Sequence, residues 1–159
     1  MVLWHPPNAP WVKLKTNGAF STSTLAVEEG GLVRGSDGGL LRAFYAPVAA
    51  SSSFEEELLA LIRGLEMAME LSIHIWIELD SVGLVSLLSS GHLSSADFRH
   101  HMALIRSMTA QRQVRFSHIY REGNRDANFL AGRGVQTLAL TYFDPISAPR
   151  YLKVLVRMD

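Results

Sequence analysis

Two carboxylates in this chain stand where they could do chemistry together. Glu57 lies in SFEEELLALIRGLEMAM, beside Leu61, Gly64 and Ala68, at the edge of the apolar stripe. Burying a carboxylate there without a partner is unfavourable, so Glu57 calls for a basic partner or a metal. Asp80 closes the apolar run IHIWIEL, at the carboxyl end of a predicted strand, where open α/β sheets gather their sites. Two carboxylates are thereby expected to meet from two separate elements. A third group of residues could contact phosphate. Residues 1–98 carry five basic and eleven acidic side chains, whereas 99–159 carry ten basic and four acidic ones. The net charge of zero argues against a nucleic-acid binder, but this asymmetry can mark a binding face. Every basic residue from Arg99 to Arg133 is an arginine. Each of them taken singly is equally well read as solvated surface.

The elements that must position the carboxylates follow from periodicity. Ser51, Ser52 and Ser53 can cap a helix, and Glu55, Glu56 and Glu57 suit its positive end. Phe54, Leu58, Leu61, Leu65 and Met69 repeat at helical spacing, which puts Glu56, Arg63, Glu66 and Glu70 on the solvated face. The strand Ile73–Leu79 presents Ile73, Ile75, Ile77 and Leu79 on one face. Upstream, residues 1–10 form an extended, proline-rich lead-in, and strands are expected over Trp11–Phe20, Leu25–Arg34 and Leu40–Ala46. Ser36-Asp37-Gly38-Gly39 is a hairpin signal between the last two.

Downstream, a short helix spans Ser81–Leu88, and Ser89-Ser90-Gly91 breaks it. A further helix, capped by Ser95 or Asp97, runs to Ala110. A fifth strand spans Val114–Tyr120, and Glu122-Gly123-Asn124 turns into a last helix from Arg125 to Gln136. Residues 138–159 are read as a tail docked on the core through Tyr151, Leu152, Val154 and Leu155. The strand after the first helix must cross over to join the sheet, normally right-handedly. The expected fold is α/β: three antiparallel strands and then two parallel ones in a mixed five-stranded sheet, with helices on both faces.

Composition bounds the rest. The chain has 159 residues, 48% of them hydrophobic, which suits a single packed domain over 1–159. It has no cysteine, hence no disulfide and no thiolate zinc site. MVLWHPPNAPW does not read as a signal peptide, and no uncharged apolar run would span a bilayer. An intracellular location, nuclear or cytoplasmic, is the expectation.

The element order and particular residues resemble the ribonuclease H fold, and more narrowly the plant reverse-transcriptase-like ribonuclease H domain found in retroelement-derived chains. Trp4, Pro6 and Pro7 followed by Trp11-Val12-Lys13-Leu14 resemble the family's lead-in. Lys15-Thr16-Asn17-Gly18-Ala19 stands where the family has T-D-G-A, and Gly30-Gly31-Leu32-Val33-Arg34 resembles its second strand. Glu57-Leu58-Leu59-Ala60-Leu61 with Gly64-Leu65 matches E-x-x-A-L-x-x-G-L, and Glu78-Leu79-Asp80-Ser81 matches E-x-D-S. His118 to Asn124 matches H-V-x-R-E-x-N, and Ala127-Asn128-Phe129-Leu130-Ala131 stands where the family has A-D-x-L-A.

The resemblance implies chemistry on RNA–DNA hybrids. In that family four carboxylates hold two divalent ions about 4 Å apart, which clamp the attacking and leaving oxygens of a phosphodiester. Magnesium favours hard oxygen donors of this kind. Glu57 and Asp80 match the second and third carboxylates, but the first and fourth positions are Asn17 and Asn128. An asparagine oxygen can coordinate weakly but brings no charge, so Mg2+ or Mn2+ binding is expected to be weak or absent. Glu78 is read as support, and Asp126 faces elsewhere. His118 lies within the strand pattern, and His100 and His101 make a poor metal pair.

Natural decay, deliberate substitution, or a plain Asn17-Gly18 turn could explain the asparagines. The favoured function is binding of nucleic acid, an RNA–DNA hybrid above all, through Arg121, Arg125 and Arg133, with cleavage impaired. The alternatives are an active, manganese-dependent ribonuclease H and a protein-interaction module on the same scaffold.

Overall fold

Alternation along residues 12–20 makes a strand with both faces covered. The computed structural model describes residues 3–20, 27–47, 50–90, 98–134 and 140–158, and the side chains of 19, 20, 27 and 132–134 lie outside that description. In chain order the elements are β1 (Val12–Phe20), β2 (Val27–Arg34), β3 (Leu40–Pro47), α1 (Ser53–Met69), β4 (His74–Leu79), α2 (Val82–Ser90), α3 (Arg99–Thr109), β5 (Gln113–His118), α4 (Arg125–Gly134), β6 (Thr141–Phe143) and α5 (Arg150–Met158). A short 3-10 turn, Arg121–Asn124, leads into α4. The strands form one sheet in the order β5-β4-β1-β2-β3-β6. β1, β2, β3 and β6 are joined by antiparallel pairings, and β4 pairs in parallel with β1 and β5.

One face of the sheet packs against α1. Ser52 Oγ accepts the Glu55 N–H at 3.1 Å and fixes the start of the helix. Leu58, Leu61 and Leu65 are fully buried in a core with Leu14, Ile75 and Ile77 from the sheet, Leu84 of α2, and Met102 and Ile105 of α3. A Cβ on Gly64 would lie 2.6 Å from the Thr16 side chain, so only glycine lets α1 approach β1 this closely.

On the opposite face α4 and α5 cover Leu32, Ala43 and Tyr45 with Ala127, Leu130, Leu152 and Val156. Here a Cβ on Gly30 would lie 2.4 Å from the Ala131 nitrogen. Lys13, Lys15 and Asn17 of β1 face this side and are buried with it. Lys15 is 1% exposed. Its Nζ donates to Asp126 Oδ2 at 2.9 Å and to the Gly123 carbonyl at 3.0 Å. Arg34 approaches the same carboxylate at 3.7 Å and stacks 3.7 Å from the Trp4 ring centroid. The lead-in is therefore anchored on a buried cluster of paired charges.

Several expectations change. The sheet has six strands rather than five, because the C-terminal tail contributes β6 on the outer edge of β3 before folding into α5. Three residues are too short a run to show alternation. Ile73 precedes β4 and is 61% exposed rather than part of its inner face. Glu56 is fully buried rather than solvated, with its Oε1 accepting the Glu28 N–H at 3.0 Å. A helical wheel registers only the core beneath α1 and misses β2 running alongside its first turn. Glu78, read from the sequence as support rather than as a cleft residue, accepts from Trp4 and Lys13 and lies outside the cleft lining. His118 closes β5 with an exposed ring. The caps expected at Ser95 and Asp97 and the stretch 135–136 lie outside the described residues. No helix among the described residues is long and apolar enough to cross a membrane.

Removing one partner of the Lys15–Asp126 pair would strand a charge in the interior. Asp126→Ala is expected to destabilise the protein by about 3–5 kcal/mol in urea unfolding. A loss under about 1 kcal/mol, the range of exposed pairs, would show that the pair is solvated.

Candidate active-site cleft

β1 and β4 run in parallel with Lys15 opposite Glu78, so Asn17 and Asp80 fall at matching positions two residues further along. There β4 ends, and the Ser81 hydroxyl accepts the Leu84 N–H at 3.2 Å to start α2. The chain therefore turns away directly after Asp80 and leaves its carboxylate at an opening. α1 enters the same opening from the other face of the sheet and brings Glu57. The result is a cleft of about 240 Å³ lined by Asn17, Gly18, Glu57, Asp80, Ser81 and Arg121.

The Asn17 Nδ2 donates to Asn128 Oδ1, so the fourth predicted position meets the first. All four residues singled out by sequence come together: Glu57 and Asp80 as the charged pair, Asn17 and Asn128 as a neutral amide pair. Arg121 supplies the cationic lip. Arg125 is exposed at the start of α4, and the Arg133 side chain lies outside the described residues. Two other arginines in the basic stretch are engaged elsewhere. Arg112 donates to the Met108 carbonyl at 2.9 Å, and Arg115 lies over the Trp11 ring at 4.2 Å.

The charged pair is under electrostatic stress. Burial first, and then the nearby Asp80 charge, push the Glu57 carboxyl up from 4.5 to about 8, against the opposing pull of the Gly18 N–H and Arg121. That N–H reaches Glu57 Oε1 at 3.4 Å, while the buried Oε2 has no hydrogen-bond partner. A buried, unpartnered carboxylate oxygen facing a second carboxylate is a fitting donor set for one divalent cation. It is a poor one for two, and no cluster of three or more acidic or imidazole side chains with metal-binding geometry occurs among the described residues.

The sequence reading assigned no role to Asn124 beyond a turn. It is fully buried, and its Nδ2 donates to the Thr16 carbonyl at 3.2 Å and to Asp80 Oδ2 at 3.3 Å. It therefore ties β1, the α4 lead-in turn and Asp80 together. The available signal was chemical: a two-donor amide directly before a helix that must pack on the sheet.

This chain is similar to known proteins. The sequence profile of the family described as "Reverse transcriptase-like" matches residues 15–134. A protein of Arabidopsis thaliana that is named as a ribonuclease H is 29% identical over 161 aligned positions. The alignment takes in 100% of this chain and 26% of that protein, so the chain spans about a quarter of the length of its relative. Among solved structures, ribonuclease H1 of the archaeon Halobacterium salinarum superposes with a TM-score of 0.73 at 21% identity, covering 79% of this chain and 98% of the other. LC11-RNase H1, solved in complex with an RNA/DNA hybrid and isolated from compost, superposes at 0.72 and 20% identity, covering 79% and 96%. The fold is that of the ribonucleases H.

The raised Glu57 carboxyl sets a pH dependence. Between pH 4.5 and about 8 the folded protein holds a proton that the unfolded chain has released. Its contribution to stability is therefore full below 4.5 and declines as pH rises through that window. Urea unfolding in the presence of a chelator is expected to show this decline, and Glu57→Gln is expected to flatten it. An unchanged slope in the variant would place the titration elsewhere.

Proposed function

Because the chain belongs to the reverse transcriptase-like family, we propose that its cleft binds nucleic acid, with an RNA–DNA hybrid as the preferred ligand, and that strand cleavage is impaired. The observation that carries this reading is the Asn17–Asn128 hydrogen bond. Two carboxylates in those positions would repel each other and attract cations; two amides pair with each other and bring no charge. The cleft then keeps its shape and loses half of the negative charge that a pair of metal ions needs.

Glu57 and Asp80 would hold a single divalent cation, with the Asn17 oxygen as a neutral donor. Bound there, the ion would supply Lewis acidity to a phosphodiester oxygen. The residues themselves do the positioning. Asn124 holds one oxygen of Asp80, the Gly18 N–H holds Oε1 of Glu57, and Arg121 offers its guanidinium to a phosphate at the rim. A second reading, residual manganese-dependent cleavage, draws support from the buried and unpartnered Glu57 Oε2.

A nuclease assay on RNA–DNA hybrid tests the proposal, with peptide mass used first to exclude deamidation at Asn17-Gly18. The unmodified protein is expected to bind and not to cut. Asn17→Asp or Asn128→Asp alone leaves one amide to donate to the new carboxylate. The double substitution places two carboxylates in contact. It is therefore expected to melt below the unmodified protein in chelator, to recover in magnesium, and to gain cleavage. Robust cutting by the unmodified protein would overturn the impairment and favour the second reading.

Binding is expected to weaken steeply with salt, with a log–log slope of about −0.9 per phosphate contacted. Arg121→Ala and Arg125→Ala should each reduce that slope by about 1. A flat salt response would remove the electrostatic basis for binding.

A further inference from the structure

The α4 side of the sheet is covered unevenly. α4 packs on β1, β2 and β3. Over β4 the N-terminal lead-in takes its place, with Trp4 buried and its Nε1 donating to Glu78 Oε1 at 2.7 Å. Between this lead-in and the end of β5 lies a second cavity of about 210 Å³, separate from the carboxylate cleft. Its buried members include Lys13 and Glu78, 5% and 7% exposed. Its outer members include His118 and Tyr120, whose rings meet edge-on at 5.2 Å. Tyr120 is 66% exposed. Its neighbour Arg121 lines the carboxylate cleft, so the two cavities adjoin at the Tyr120–Arg121 peptide.

The chemistry of this cavity selects its occupant. Lys13 and Glu78 are paired at 3.2 Å, so the buried floor is neutral and does not attract a phosphate. Both Glu78 oxygens already accept a bond, from Trp4 and from Lys13. The Lys13 ammonium donates to the His5 carbonyl at 2.7 Å and to Glu78, lies 4.4 Å from the Trp76 ring centroid, and lines the cavity as its cationic member. A flat ring with acceptor atoms on its edge would suit such a lining, with one face against the exposed Tyr120 ring and its edge toward Lys13. Aromatic side chains stack unpaired bases with little regard to sequence. We infer that this cavity takes one unpaired nucleobase, from a single-stranded extension of the nucleic acid held in the adjoining cleft. The inference rests on the nucleic-acid reading of that cleft.

Fluorescence anisotropy with four probes tests it: a blunt RNA–DNA hybrid, the same hybrid with a three-nucleotide extension on one strand or on the other, and the single strand alone. An extension on one strand is expected to tighten binding roughly tenfold over the blunt hybrid. Tyr120→Ala is expected to abolish that gain without altering blunt-hybrid affinity, and Tyr120→Phe to retain it. A 2-aminopurine in the extension should be quenched by the unmodified protein and not by Tyr120→Ala. Blunt binding with no gain from an extension, or a gain that survives Tyr120→Ala, overturns the base site and leaves the cleft reading intact. Failure of the blunt hybrid alongside Tyr120-dependent binding of the single strand overturns the cleft reading and keeps the base site. No binding of any probe overturns both.

Discussion

The geometry of the cleft depends on one desolvated ion pair. β1 is buried on both faces, so the cation at Lys15 has no water and must be neutralised from within. Asp126 does this from the first turn of α4, and the Gly123 carbonyl accepts a second Lys15 N–H. Those two bonds pin the Arg121–Asn124 turn and the start of α4 to the middle of β1. Everything contributed from that side follows from the pin: Asn124 reaches Asp80, Asn128 meets Asn17, and Arg121 arrives at the rim. A hydrophobic pair could glue α4 to the sheet as firmly, but it would fix position less strictly, because apolar contacts tolerate sliding and charged hydrogen bonds do not.

The cleft that results is divided electrostatically. Glu57 and Asp80 crowd negative charge at one end, where burial and mutual repulsion drive the Glu57 carboxyl toward its neutral form. At the other end two amides satisfy each other and carry no charge. The backbone scaffolding around both halves is the same: strand ends, a helix start and a buried asparagine. Shape and charge are thus separable here. Packing maintains the first, whereas two side chains of nearly unchanged size decide the second.

The lead-in gives the molecule a second asymmetry. Trp4 lies beneath Arg34 and beside Lys13 and Lys15, with ring-to-cation distances of 3.7, 5.3 and 5.1 Å. These cations are tolerated because each also has an anionic or carbonyl partner, so the indole adds to pairs that already exist. By occupying the sheet face beside α4, the lead-in links the extended N-terminal residues to the same strand that ends at Asp80.

Periodicity in the sequence determined the elements that bear the acidic residues. Leu58, Leu61 and Leu65 specify the inner stripe of α1, and the alternation ending at Leu79 specifies β4. Both patterns are local, because burial of one face imposes its own repeat on a single element. Asn17 and Asn128 were legible only through the resemblance to the ribonuclease H motifs, which no periodicity carries. Tertiary structure decided what no single element encodes. Glu56 looks solvated on a helical wheel and is buried, because β2 runs beside the first turn of α1. Lys13 and Lys15 alternate as polar residues would on an open face, yet that face is closed by the lead-in and α4. β6 is too short to carry a pattern and exists through its pairing with β3. The contact between Asn17 and Asn128 spans 111 residues and has no local signature at all. A sequence records which face of each element avoids water; which element, and which charge, comes to cover that face is settled only when the chain closes on itself.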